Sequence, residues 1–198
     1  MSWSECFERA PAVTVEEIRR ALADHRNTPQ QSHPDEPSTA SKPVDPSPTR
    51  VVADADVLAA DCCLAGPARA SLNAVYQHSW MQLVASDPLV ADAEHVIETV
   101  VDESLAKAWR ERITAWREPV EHPAGDQPAL GSAYRGGAMH LLSFDEELTS
   151  SAAGTALTNR MPVSVRQPAA FRLLFDAESL YTSAFGETYP GPDRKLRE

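Results

Sequence analysis

Four acidic positions fall where an α/β domain does chemistry. Asp54 directly follows an apolar run at residues 50–53, and Asp145 follows a second one at 138–143 after Ser143 and Phe144. Asp126 opens the helical pattern that precedes the second run, and Asp92 or Glu94 lies in the first turns after the run at 82–85. In an open sheet of parallel strands, binding sites lie beyond the carboxyl ends of the strands, so these acids gather at one edge. Carboxylates forced together repel one another unless a cation sits between them. All-oxygen sets of this kind suit Mg²⁺ or Mn²⁺, so the pattern points to an acidic metal site on Asp54, Asp126, Asp145 and one of Asp92 and Glu94. Structural uses compete with this reading: Asp126 can serve as a helix cap and Asp145 as a turn residue. Glu94 is two residues beyond Asp92, about 200° round a helix, so only one of the two can face the site.

The elements that must position these acids alternate strand and helix. Short apolar runs at 50–53, 82–85, 119–121, 138–143 and 162–165 read as strands, separated by helical patterns at 57–64, 67–78, 87–101, 103–116 and 126–134, with another at 168–175. That alternation predicts an α/β domain with a mostly parallel sheet of about five strands. Ser86, Asp87 and Pro88 form a helix start, with a hydroxyl cap followed by an acid and a proline in the first turn. Gly136 and Gly137 stop the helix before the fourth strand. The segment from Gly186 to Pro192 reads as irregular.

Three regions follow from composition. Residues 28–49 hold six prolines with Ser, Thr and Gln and almost no large apolar residue, so they read as a flexible Pro/Ser-rich linker. Before it, residues 1–27 carry one short amphipathic helix at 13–25, with a capping box at Thr14 and Glu17 and an apolar face of Val15, Ile18, Ala21 and Leu22. That helix either docks on its own domain or serves as an arm for a protein partner. Residues 50–198 form the α/β domain.

Charge and cysteine content narrow the function classes. With 18 basic and 29 acidic residues the chain carries −11, which excludes a broad cationic face for nonspecific nucleic-acid binding, so contact with RNA must be local. Lys42, Lys107 and Lys195 are the only lysines, and an acidic, lysine-poor composition fits a high-salt cytoplasm. Cys6, Cys62 and Cys63 cannot all pair and read as buried thiols. No apolar run approaches the roughly 18 residues of a membrane span, and no secretion signal opens the chain, so the expectation is a cytoplasmic protein with no membrane partner. Trp80, Trp109 and Trp116 read as packing residues rather than base-stacking ones. Arg135 and Arg160 are candidates to steer a phosphate backbone, though surface arginines on an acidic protein are the commoner case. His122 and His140 read as structural.

The segment Val51-Val52-Ala53-Asp54-Ala55-Asp56-Val57-Leu58 resembles the opening of PIN domains. The segment from Asp126 to Ala133 resembles that family's third acidic motif, and Gly136-Gly137-Ala138 with Leu141-Leu142-Ser143-Phe144-Asp145 resembles its glycine turn, fourth strand and closing acid. The resemblance covers about residues 50–165 and is nearest to a PIN-like group of halophilic archaea. It implies a three-layer α/β/α fold with strand order 3-2-1-4-5, and an endonuclease, usually a ribonuclease, that uses one or two Mg²⁺ or Mn²⁺ ions. Asp54, Asp126 and Asp145 would then be metal ligands or neighbours of ligands, and Asp92 stands where the family normally has Glu. Homodimers are common in the family. The other outcome is a PIN-like scaffold without catalysis that acts through protein contacts. Asp54 with Asp56 also resembles the first motif of haloacid-dehalogenase-type phosphatases, but the later lysine such enzymes need is missing: after Ser143 only Lys195 occurs.

Overall fold

The computed structural model describes residues 1–9, 12–28, 42–122, 127–158 and 160–197. In chain order the elements are α1 (Trp3–Arg9), α2 (Val15–Asn27), β1 (Ser47–Ala53), α3 (Ala55–Cys63), α4 (Pro67–Tyr76), β2 (Gln82–Ser86), α5 (Asp87–Val100), α6 (Glu103–Trp116) and β3 (Glu118–Val120). They continue with α7 (Pro128–Arg135), β4 (Ala138–Leu142), α8 (Glu146–Thr149), α9 (Ser151–Thr158), β5 (Ser164–Arg166), α10 (Pro168–Leu174) and α11 (Ala177–Phe185). The five strands form one parallel sheet in the order β3-β2-β1-β4-β5, flanked by helices.

β1 is central, and Val51, Val52 and Ala53 are wholly buried, as expected of a strand covered on both faces. Its pairing partners are Leu83 on one side and Leu141 and Leu142 on the other. The strand starts at Ser47, three residues earlier than composition suggested. Pro48 is accommodated because the register with β4 shifts between Ser47 and Val51, which relieves the ladder of the donor proline lacks. The first four strands otherwise lie within about a residue of the sequence expectation, and β5 is displaced to Ser164–Arg166.

α3 is buried over its whole length, including Asp56 and Asp61, which makes it a core helix without a solvent face. Trp109, Leu58, Leu72, Leu89, Ile97 and Ile113 fill the interior around it. α1 and α2 belong to the same core: Cys6 and Ile18 are fully buried, and α2 lies against α5 and α3. The capping box at Thr14 and Glu17 is formed, so the helix begins as its sequence dictates. Among the described residues no helix is long and apolar enough to cross a membrane.

Gly137 fixes the turn between α7 and β4. Its φ is +61°, and a Cβ there would lie 2.5 Å from the Asp45 carbonyl oxygen and 2.7 Å from that of Val44. The same turn holds the incoming chain, since Ser47 N–H donates to the Gly137 carbonyl and Val44 N–H to that of Arg135. Gly137→Ala therefore combines left-handed strain of about 1–2 kcal/mol with a backbone clash. Its thermal midpoint should fall by several degrees, and an unchanged midpoint would show that the turn relaxes freely.

Candidate functional site

The strand order reverses direction between β1 and β4, so the crevice beyond their carboxyl ends is the topological switch point of the sheet. Asp54 stands directly there. Its N–H donates to the Leu142 carbonyl (2.8 Å), which extends the ladder by one residue and fixes the backbone. Its Oδ1 caps α3 by accepting from Ala55 N–H at 2.7 Å, and its Oδ2 accepts from the Ser143 hydroxyl at 3.2 Å. Ser143 is the link to the next acid, because its oxygen also accepts from the Asp145 N–H at 3.0 Å. Asp145 caps α8 through Glu147 N–H. Asp54, Asp56 and Asp145 line one cleft of about 240 Å³, with Arg19, Leu22, Ala23, Arg26 and Asn27 of α2 as its other wall.

Asp56 is the residue that sequence reasoning undervalued, having weighed it only against a phosphatase motif. Its Oδ2 accepts from the Phe144 N–H (3.1 Å), whereas its Oδ1 is buried with no hydrogen-bond partner. Burial, reinforced by the charge of Asp54, pushes its pKa up to about 8. Its neighbour on the same helix makes the contrast plain. Asp61 is equally buried, but both of its oxygens are held by Arg197 at 2.6 and 2.8 Å. A buried polar atom left without a partner is rare and calls for a reason other than packing.

Asp92, on α5, reaches the site through Arg26. The guanidinium donates to Asp92 Oδ2 at 3.0 Å and to Asp54 Oδ1 at 3.3 Å. His25 Nε2 lies 3.4 Å from the other Asp92 oxygen, and its ring stacks on His95 with centroids 4.0 Å apart. Burial opposes the Arg26 charge, but Asp54 and Asp92 outweigh it and hold the pKa above its usual value. Burial, with help from His95, pushes the His25 pKa down against the pull of Asp92. Glu94 points elsewhere, to Arg110 on α6 at 2.6 Å. Asp126 lies outside the described residues, and the cap expected of it belongs to Gln127, whose side chain accepts from Leu130 N–H at 2.7 Å.

The remaining candidates lie away from this cleft. Arg160 borders a separate cavity with Val44, Gly137 and Ala138, at the opposite end of β4. Arg135 ends α7, beside the glycine turn. His140 contacts Arg166 and packs edge-on against Phe171. Trp80 packs against Tyr181 and Phe185, and Trp109 is fully buried. The arginines at the acids are Arg19 and Arg26, and their signal was available: Arg19, Leu22, Ala23 and Arg26 occupy the i, i+3, i+4, i+7 stripe of α2.

The donor set suits a hard divalent cation in part. Asp54, Asp56 and Asp145 offer only oxygen, and the unpartnered Asp56 Oδ1 is an atom that a cation would satisfy. Among the described residues, however, no three His, Cys, Asp or Glu side chains are grouped so as to hold an ion, and Arg26 supplies the positive charge shared by Asp54 and Asp92.

Comparison with the curated proteins finds no match, and neither does comparison with the solved structures. A family model does match, over residues 45–197, which takes in the whole sheet and leaves α1 and α2 outside. By that match the chain belongs to the Family of unknown function (DUF7384).

Proposed function

We propose that the chain is a PIN-like, Mg²⁺- or Mn²⁺-dependent endonuclease that acts on RNA. The observation that carries this reading is the convergence of Asp54, Asp56 and Asp145 on one cleft at the switch point, with a buried carboxylate oxygen there left unsatisfied. Asp54, Asp56, Asp92 and Asp145 would hold the ion, with Asp126 as a further acid by the PIN resemblance. When bound, the ion would polarise a phosphate and lower the pKa of a water molecule. The protein's own part is orientation. Ser143 and Ala55 N–H fix the two oxygens of Asp54, and the Ser143 hydroxyl ties Asp54 to Asp145, so the acids are aimed before any substrate arrives. Arg19 on the cleft wall gives a local cationic contact for a phosphate, which an RNA partner needs on a chain of charge −11.

The ion pairs of Arg26 favour a second reading, a scaffold whose acids are permanently neutralised by α2 and which works through protein contacts. Calorimetry with Mn²⁺ in high-salt buffer separates the two. Asp54→Asn and Asp145→Asn should each weaken binding at least tenfold and remove cleavage of single-stranded and structured RNA. Absence of Mn²⁺ binding by the folded chain, both unaltered and with Arg26→Ala, would end the nuclease reading and leave the scaffold.

A further inference from the structure

The last turn of α2 holds the acids in a way the rest of the helix does not need. Both oxygens of Asp92 face α2, one toward His25 and one toward Arg26, and Arg26 also takes Asp54 Oδ1. The other Asp54 oxygen is already engaged by Ser143. A cation approaching Asp54 and Asp92 therefore meets Arg26 in its place, and the two positive groups exclude each other. The anchoring of the helix is uneven. Its first turns are fixed by the Thr14–Glu17 capping box and by the burial of Ile18 and Leu22. Its last turn rests on the Arg26 ion pairs and on His25, whose ring stacks on His95, and the Arg26 side chain is 32% exposed. Such an end can open by losing those ion pairs and the ring contact, while the apolar part of the helix stays docked. The matched family region begins at residue 45, so the helix that covers these acids lies outside it.

We infer that the end of α2 is a built-in plug, with Arg26 occupying the cation position, so that Mn²⁺ or Mg²⁺ enters only as residues 24–27 swing out. This rests on the metal-dependent reading above. It also has a reciprocal consequence: if Arg26 weakens the ion, the ion must loosen Arg26 by the same factor.

The test uses the full chain and Mn²⁺ alone, with Arg26→Ala and Arg26→Gln beside the unaltered protein. Calorimetry at low ionic strength should show both variants binding Mn²⁺ roughly ten- to a hundredfold more tightly. The advantage should shrink as salt screens the partly exposed ion pairs. In the unaltered chain, Mn²⁺ should speed amide exchange at residues 24–27 and leave the buried first turns near Ile18 unchanged, a readout that also shows the helix folded. Equal Mn²⁺ affinity in all three proteins would overturn the plug and leave the metal reading standing. Weaker binding in the variants would overturn it too, making Arg26 a group that helps place the ion. No binding in any of the three folded proteins would overturn the metal reading, and the plug with it.

Discussion

Arg197→Met is expected to cost about 3–5 kcal/mol of folding stability, the range for breaking one partner of a buried ion pair. The pair is fully enclosed. Arg197 donates through two nitrogens to the two oxygens of Asp61 and through its third to Asn73 Oδ1 at 2.8 Å, and neither charged side chain exceeds 1% exposure. The rings of Trp3, Trp116, Phe7 and Tyr76 surround the guanidinium, with centroids 4.9, 5.0, 5.5 and 5.9 Å from its carbon. One side chain thus joins α1, α3, α4 and α6, and each ring face adds attraction for the cation. Methionine keeps much of the volume but leaves the Asp61 carboxylate bare in the core. Arg69, the neighbouring cation, donates to the backbone carbonyls of Asp61 and Cys62 and not to the Asp61 carboxylate. The cost is one of an orphaned charge, so Asp61→Leu added to Arg197→Met should restore most of the loss. Urea unfolding measures both. A loss below about 1 kcal/mol for the single variant would mean that water reaches Asp61 and that the pair does little.

The legible part of this fold is the part built from long apolar contacts. β1, β2 and β4 are covered on both faces and therefore read as short unbroken apolar runs, while α5 and α6 carry full-length periodicity between Ser86 and Asp102 caps that both accept from the helix backbone. Short helices were the difficulty. α1, α8 and α9 are too brief for periodicity to register; α1 is held by the tertiary packing of Trp3 and Cys6, and α8 buries no residue. α11 announces itself only by Asp176 as cap and Gly186 as a left-handed stop, signals hidden beside a Gly- and Pro-rich segment. At the site, Asp54 and Asp145 were legible because topology alone places the residue after a parallel strand. Asp56 was not, because whether a carboxylate in a buried helix is paired depends on residues far away in sequence: Arg197 answers Asp61, and no side chain answers the second oxygen of Asp56. The place of Arg26 on a helical stripe was legible, but its acid partners were not, for they lie 28 and 66 residues away.

That unanswered oxygen sets the second large expected effect, a stability that depends on pH through Asp56. Its ordinary pKa is 3.8, and burial followed by the Asp54 charge raises it to about 8 in the folded chain. Between about pH 4 and 8 the folded protein holds a proton at this carboxyl that the unfolded chain has released. Stability must fall as pH rises across that window and level off above it, with a total contribution of a few kcal/mol. His25 and His140, whose pKa values burial lowers, act in the other direction below about pH 6.5, so the bare profile mixes both trends. The difference between the unaltered chain and Asp56→Asn isolates the carboxyl. Asparagine keeps an acceptor for Phe144 N–H and carries no charge, so this variant should be the more stable protein at pH 8–9 and should lose the downward slope. If Asp56 also faces a divalent ion, Mn²⁺ uptake near pH 6–7 must displace about one proton, since the ion takes the ionised form. Calorimetry repeated in buffers of different ionisation enthalpy counts that proton, and Asp56→Asn should release none while binding Mn²⁺ more weakly. A variant with the parent's pH profile would place the carboxyl in contact with water and ionised throughout. A variant that flattens the profile yet binds Mn²⁺ unchanged would separate the two roles: the buried acid would then be a strain on the fold that the ion does not relieve.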